Sequence, residues 1–343
     1  MSHRFLITLT LAVIIAAPVP GQPSLGQASR ATANPPATAK RAAVPRTPDG
    51  HPDFQGTWTN ATLTPMERPA AFAAKPTLTE AEAKTFAQAA AKELQDNDGA
   101  SDSPGLRAAG SGGTGGYNVL FIDRGSELAQ VDGVKRTSLI IDPPDGKVPP
   151  MTPEAKQRIA AMMRSFVRYD SVKDRPVSER CLVGFGSTSG PPMMPVLYNN
   201  NYQIVQTPDT IMILVEMDHD VRLVRMNSTH IAPNIRKWLG DSIGHWEGDT
   251  LVVDTTNFND QTRFQATSTN LHVIERFTRA DASTILYRVT IEDPSTFSKP
   301  WTMEFPFLAT AGPVFEYACH EGNYALTDIL GGARKADAEA RKK

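Results

Sequence analysis

Leu271-His-Val-Ile-Glu-Arg-Phe-Thr-Arg-Ala-Asp-Ala-Ser-Thr-Ile-Leu-Tyr-Arg-Val-Thr-Ile291 decides the fold. Leu271, Val273, Glu275 and Phe277 share one face, and in the next run so do Ile285, Tyr287, Val289 and Ile291. Alternation with period two, rich in β-branched and aromatic residues, specifies half-buried strands. The link Arg279–Ser283 has hairpin length, and pairing Thr278 with Thr284 would set Glu275 directly across from Tyr287.

The same pattern extends to both sides. Strand-like runs cover Tyr202–Thr207, Thr210–Met217, Val221–Met226, Thr250–Thr256, Trp301–Phe307 and Val314–Cys319. The turn residues Pro208-Asp209, Asp218-His-Asp220, Glu247-Gly-Asp249 and Asp293-Pro294 separate them. Helices between the strands are missing, which excludes a βαβ plan. The expected fold is mostly β with peripheral helices: an antiparallel meander, closed as a calycin-like barrel or folded as a sandwich. Pro 27 and Gly 24 suit strands joined by many turns.

Upstream, Leu78–Leu94 reads as a helix capped by Thr79 with Glu82 completing a capping box, and Thr152–Phe166 as a second, with Pro153 in its first turn. Tyr117–Ile122 and Arg136–Ile141 read as a strand pair, the latter ending at the turn Asp142-Pro-Pro-Asp-Gly146. Residues 97–116 form a glycine-rich loop with no Gly-Lys-Ser/Thr after it, so it is not a phosphate cradle. A helix is expected over Asn323–Arg334.

The chain opens as a secretory signal over residues 1–21. Arg4 precedes the uncharged run Phe5–Ala17, too short to span a membrane. Residues 22–46 are a leader too poor in aliphatic residues to order itself. A single β-rich domain is expected over 47–334, then a charged tail over 335–343. The expected localisation is periplasmic or secreted, with no membrane span in the mature chain. There the two cysteines of the chain, Cys181 and Cys319, form either a long-range disulfide or two buried thiols. They exclude a disulfide-dense fold and a Cys₄ metal site. A net charge of -2 gives no reason to expect nucleic acid as a partner.

Gly56-Thr-Trp58 is similar to the Gly-x-Trp that opens lipocalin barrels. Five longer segments are more specific: His51-Pro-Asp-Phe-Gln-Gly-Thr-Trp58, Leu63-Thr-Pro-Met-Glu-Arg-Pro69, Arg136–Gly146, Gly240-Asp-Ser-Ile-Gly-His-Trp-Glu-Gly-Asp-Thr-Leu-Val-Val-Asp-Thr-Thr-Asn-Phe258 and Glu316-Tyr-Ala-Cys-His-Glu-Gly-Asn-Tyr324. Together they resemble the recurring segments of a family of uncharacterised exported bacterial proteins. The resemblance implies export and one coherent fold, and no mechanism.

Candidate chemistry concentrates late in the chain. A glutamate among apolar neighbours and facing a tyrosine hydroxyl, as Glu275 faces Tyr287, is the arrangement from which a general acid or base is built. The alternative is a structural carboxylate paired with Arg222 or Arg288. His320 and Glu321 form a second acid–base candidate, or else a capped strand end. Trp246 either stacks on a ligand ring or packs in the core. His245, His219 and Arg222 complete the candidate ligand-binding set. Five of the seven histidines lie between His219 and His320, yet none has metal-ligand spacing, and a metal would need long-range assembly with Glu216, Asp220 or Glu321. No metal and no cofactor are expected. Gly-x-Ser-x-Gly and Gly-x-Gly-x-x-Gly are absent. Two functions follow: an exported binding protein holding a small, partly apolar ligand inside the barrel, or a cofactor-independent acid–base enzyme.

Overall fold

The computed structural model describes residues 44–99, 122–165, 168–184, 190–261 and 264–342. The signal segment, most of the leader, almost all of the glycine-rich loop and all but Ile122 of the expected strand Tyr117–Ile122 lie outside the described residues. Nine strands close into a barrel: β1 (Gly56–Thr59), β6 (Asn201–Gln206), β7 (Thr210–Val215), β8 (Val221–Met226), β9 (Asp241–Glu247), β10 (Thr250–Thr256), β11 (His272–Arg279), β12 (Thr284–Glu292) and β13 (Trp301–Ala309). β1 makes the closure. It pairs with β6 on one side and with the end of β13 on the other, Trp58 opposite Ala309. Closure removes the open edges that a sandwich would keep.

Alternation explains the wall. Every second residue of β11 and β12 is buried, and Trp301, Met303, Phe305 and Phe307 of β13 are all inaccessible. Each such side chain contributes roughly 1.5–3 kcal/mol of transfer free energy. The rings of Tyr287, Phe277, Phe305 and Phe307 meet within the barrel at centroid distances of 5.1–6.0 Å. Phe54 and Met193, from flanking segments, are buried against the same core.

The plan departs from a pure meander once. β8 and β9 run parallel, Val224 opposite Ser242, because residues 227–240 carry the chain back along the wall. Gly244 permits the close pairing, since a Cβ there would lie 2.8 Å from Val224 Cγ1.

Three expectations change. The β11–β12 register is shifted by two residues: Glu275 opposes Val289, and Tyr287 opposes Phe277. Asp281 accepts from Ser283 N, and Ala280 N bonds to Thr284 O, so the turn centres one residue later than expected. Arg136–Ile141 is not one strand. β4 (Val134–Arg136) joins β2 (Thr77–Leu78) and β3 (Gln130–Val131) in a small sheet, while β5 (Ile140–Asp142) pairs with β13. Val314–Cys319 is irregular, because β1 already occupies the edge it would need.

Both capping predictions hold. Thr79 N donates to Glu82 at 2.9 Å at the start of α1 (Glu80–Gly99), and Ala155 N donates to Thr152 Oγ1 at 3.1 Å at the start of α2 (Pro153–Ser165). α3 (Tyr324–Ala340), capped by Asn323, runs on through most of the expected tail. Among the described residues, no helix is long and apolar enough to cross a membrane.

Candidate functional site

A charged network crosses the barrel interior. Glu275 is fully inaccessible. Its Oε1 accepts from Arg222 Nη1 at 2.9 Å and from the Tyr287 hydroxyl at 2.8 Å, and Arg222 Nη2 bonds to Oε2. The guanidinium reaches across β9 and β10, donating to Ser242 Oγ at 3.2 Å and Thr255 Oγ1 at 3.1 Å. Tyr287 Oη in turn accepts from Met193 N at 3.2 Å. Burial, reinforced by the Glu275 charge, raises the Tyr287 pKa well above its ordinary value. Both Glu275 oxygens are engaged and neither meets solvent. Of its two expected roles, the geometry is that of a structural carboxylate locked to Arg222. Arg222 and Tyr287 are buried in the same network.

The other candidates are dispersed. Trp246 lies at the end of the barrel where β9 finishes. It stacks on the protein's own His51 (centroids 4.3 Å apart, planes within 4°) and lies near Phe54. His245 is exposed on the outer wall with Nε2 3.2 Å from Glu247. His219, in the turn between β7 and β8, belongs to the opposite end and is exposed. His320 and Glu321 are also exposed, in a turn rather than a strand. Neither contributes to the Glu275 network, so the structure does not assemble Glu275, His320 and Glu321 into one centre.

Cys181 and Cys319 are bonded, their Cα atoms 5.7 Å apart. Asn323 Nδ2 donates to Glu179 O at 2.7 Å and reinforces the staple. This fixes the segment that follows β13. Thr310 N donates to Thr57 O and Phe315 N to Glu216 Oε1, so the chain is led from β1 to the far end of β7. A cavity of about 780 Å³ opens there, bounded by this segment and by the entry to β6. Tyr198, Phe315 and Tyr317 give it aromatic walls, and Asp123, Glu216 and Glu316 give it carboxylates. Asn199, in left-handed backbone (φ 56°), and Asn201 add amides. Beyond it, the β7–β8 turn holds Asp218 and Asp220. Burial raises the pKa of both. For Asp220 the Asp218 charge adds to this, and the value reaches about 6.

A third cluster runs across the outer wall. Glu292, His272, Asp254, His230 and Asp241 alternate carboxylate and imidazole at 2.9–3.1 Å. The hydrogen bond to Asp254 raises the His272 pKa against burial, with Glu292 adding to it. The cluster ties residue 230, from the crossing segment, to four strands, β9 to β12. Among the described residues, no group of three or more His, Cys, Asp or Glu is placed to hold a metal ion.

The sequence marked His320 and Glu321 within Glu316–Tyr324, and Glu216, as candidates. It did not mark Tyr198, Asn199, Asn201 and Phe315 as lining, since no periodicity marks a loop residue that tertiary contacts bring to a cavity.

Fold and site together define a closed nine-stranded β-barrel protein with a disulfide-braced cleft at one end. Comparison of the chain with protein-family models, curated proteins and solved structures returns no match.

Proposed function

We propose that this chain is an exported binding protein for a small, partly apolar molecule, with the ligand in the cleft beside the Cys181–Cys319 bridge rather than in the barrel lumen. The cleft carries the reading. Its volume of about 780 Å³ falls in the range that takes small ligands, and it joins aromatic surface to a few fixed polar groups. The lumen supports it less well, because aromatic side chains and the Arg222–Glu275 pair occupy it. Export is supported by the long-range disulfide, which persists in oxidising compartments.

Native mass spectrometry of the freshly exported protein tests this. A retained small molecule is expected in the wild type. It should be lost from Ala318→Trp, which fills the cleft from an exposed lining position. Retention of the same mass by Ala318→Trp, with unchanged stoichiometry, would place the ligand elsewhere.

A further inference from the structure

The charge balance of the cleft identifies the class of ligand, given that the cleft is the binding site. Asp123, Glu216 and Glu316 line it, and among the described residues no lysine, arginine or histidine does. Among the described residues none of the three carboxylates takes part in a salt bridge.

Glu216 is the informative one, because it is only 1% exposed. Oε2 accepts from Asn201 N at 3.1 Å and Asn201 Nδ2 at 2.9 Å, and Oε1 accepts from Phe315 N at 2.9 Å. These amides satisfy its lone pairs, and among the described residues no cationic side chain pairs with it. Buried carboxylates elsewhere in the barrel are treated differently. Glu275 faces Arg222, Glu304 faces Arg136 and Arg288, and Asp241 faces Arg225 and Lys237. Among the described residues Asp293 shares the lack of a cation, but it closes a turn through Ser268, Ser295 and Thr296 and is not among the cleft's lining. A buried charge without a counter-charge is costly in a folded protein unless something supplies one.

The surroundings are mostly acidic. Asp218 and Asp220 lie two and four residues after Glu216, and among the described residues Asp218 Oδ2 is buried with no hydrogen-bond partner, while the His320 imidazole lies close enough to act on Asp218. Phe315 is held 61% exposed by its backbone bond to Glu216, leaving a large apolar ring on the cleft wall. Aromatic faces beside carboxylates attract cations that also carry apolar surface. A bare divalent ion suits the cleft less well, since no metal-holding group is found among the described residues.

We propose that the cleft binds an organic cation, an ammonium or guanidinium group on a small apolar body, with its charge toward Glu216, Glu316 and Asp123 and its body against Phe315.

Isothermal titration of the full exported chain with four probes tests this: 2-phenylethylammonium, the neutral 2-phenylethanol, the anionic phenylacetate, and calcium chloride alone. The ammonium should bind about tenfold or more tighter than the alcohol, with phenylacetate weaker still. Glu316→Gln and Asp123→Asn should each weaken the ammonium about three- to tenfold, more at low salt, and leave the alcohol unchanged. Equal binding of ammonium and alcohol would overturn the cation assignment while leaving a ligand-binding cleft. Preference for phenylacetate, or binding of calcium alone, would overturn it as well. Silence of all four probes would remove the class. If native mass spectrometry also finds no retained molecule, the binding reading falls with it.

Discussion

Arg222→Ala should be among the most damaging single substitutions in the barrel. The guanidinium makes two bonds to Glu275, two to Ser242 and one to Thr255. Its removal leaves the Glu275 carboxylate inaccessible to water with only the Tyr287 hydroxyl as a partner. Breaking a buried pair from one side costs about 3–5 kcal/mol, a third or more of the roughly 5–15 kcal/mol that holds a domain together. Removing both charges has a different outcome. Arg222→Met with Glu275→Leu fills similar volume, strands no charge, and keeps the bond between Tyr287 and Met193 N. The double variant should lie within about 1–2 kcal/mol of wild type. Urea denaturation of the wild type, both single variants and the double gives the coupling energy directly. A cost below about 1 kcal/mol for Arg222→Ala, or a double variant as unstable as the two single losses added, would refute the structural role of this network. The double variant should also retain ligand in the cleft, since neither residue lines it.

Two further outcomes can be checked on the same material. The Cys181–Cys319 bridge spans a sequence separation of 138, for which loop-closure entropy gives about 5 kcal/mol; replacing both cysteines by serine should cost about 2–5 kcal/mol in urea, and an unchanged midpoint would refute this. Asp220 has its pKa raised by burial and by Asp218 from 3.8 to about 6, so it binds its proton more tightly folded than unfolded, and stability is withdrawn as pH rises through that window. Asp220→Asn should therefore gain stability at neutral pH and little below about pH 4; an equal gain at both values, or a loss at neutrality, would contradict the reasoning.

The strand set was legible because burial on one face of a sheet leaves a period-two trace in local order. β8, β10 and β12 begin where the alternation begins, and the caps Thr79 and Thr152 announce their helices. Glu275 and Tyr287 were correctly placed on one interior face, although their register was not. A two-residue slip conserves the face, so the pattern cannot detect it. Val314–Cys319 misled for a related reason: its composition suits a strand, but pairing needs an open edge, and β1 closes the barrel first.

Sequence alone determined the mostly β architecture, the possible Cys181–Cys319 link and the polarity of Glu316–Tyr324, because each depends on residue type and near-neighbour spacing. Only tertiary structure decided that Arg222, not a substrate, answers Glu275, and that Tyr198, Glu216 and Phe315 share a cavity. Those contacts join residues that barrel closure and a disulfide bring together across 50 to more than 100 positions, and no local signal records which partner a side chain meets at that distance.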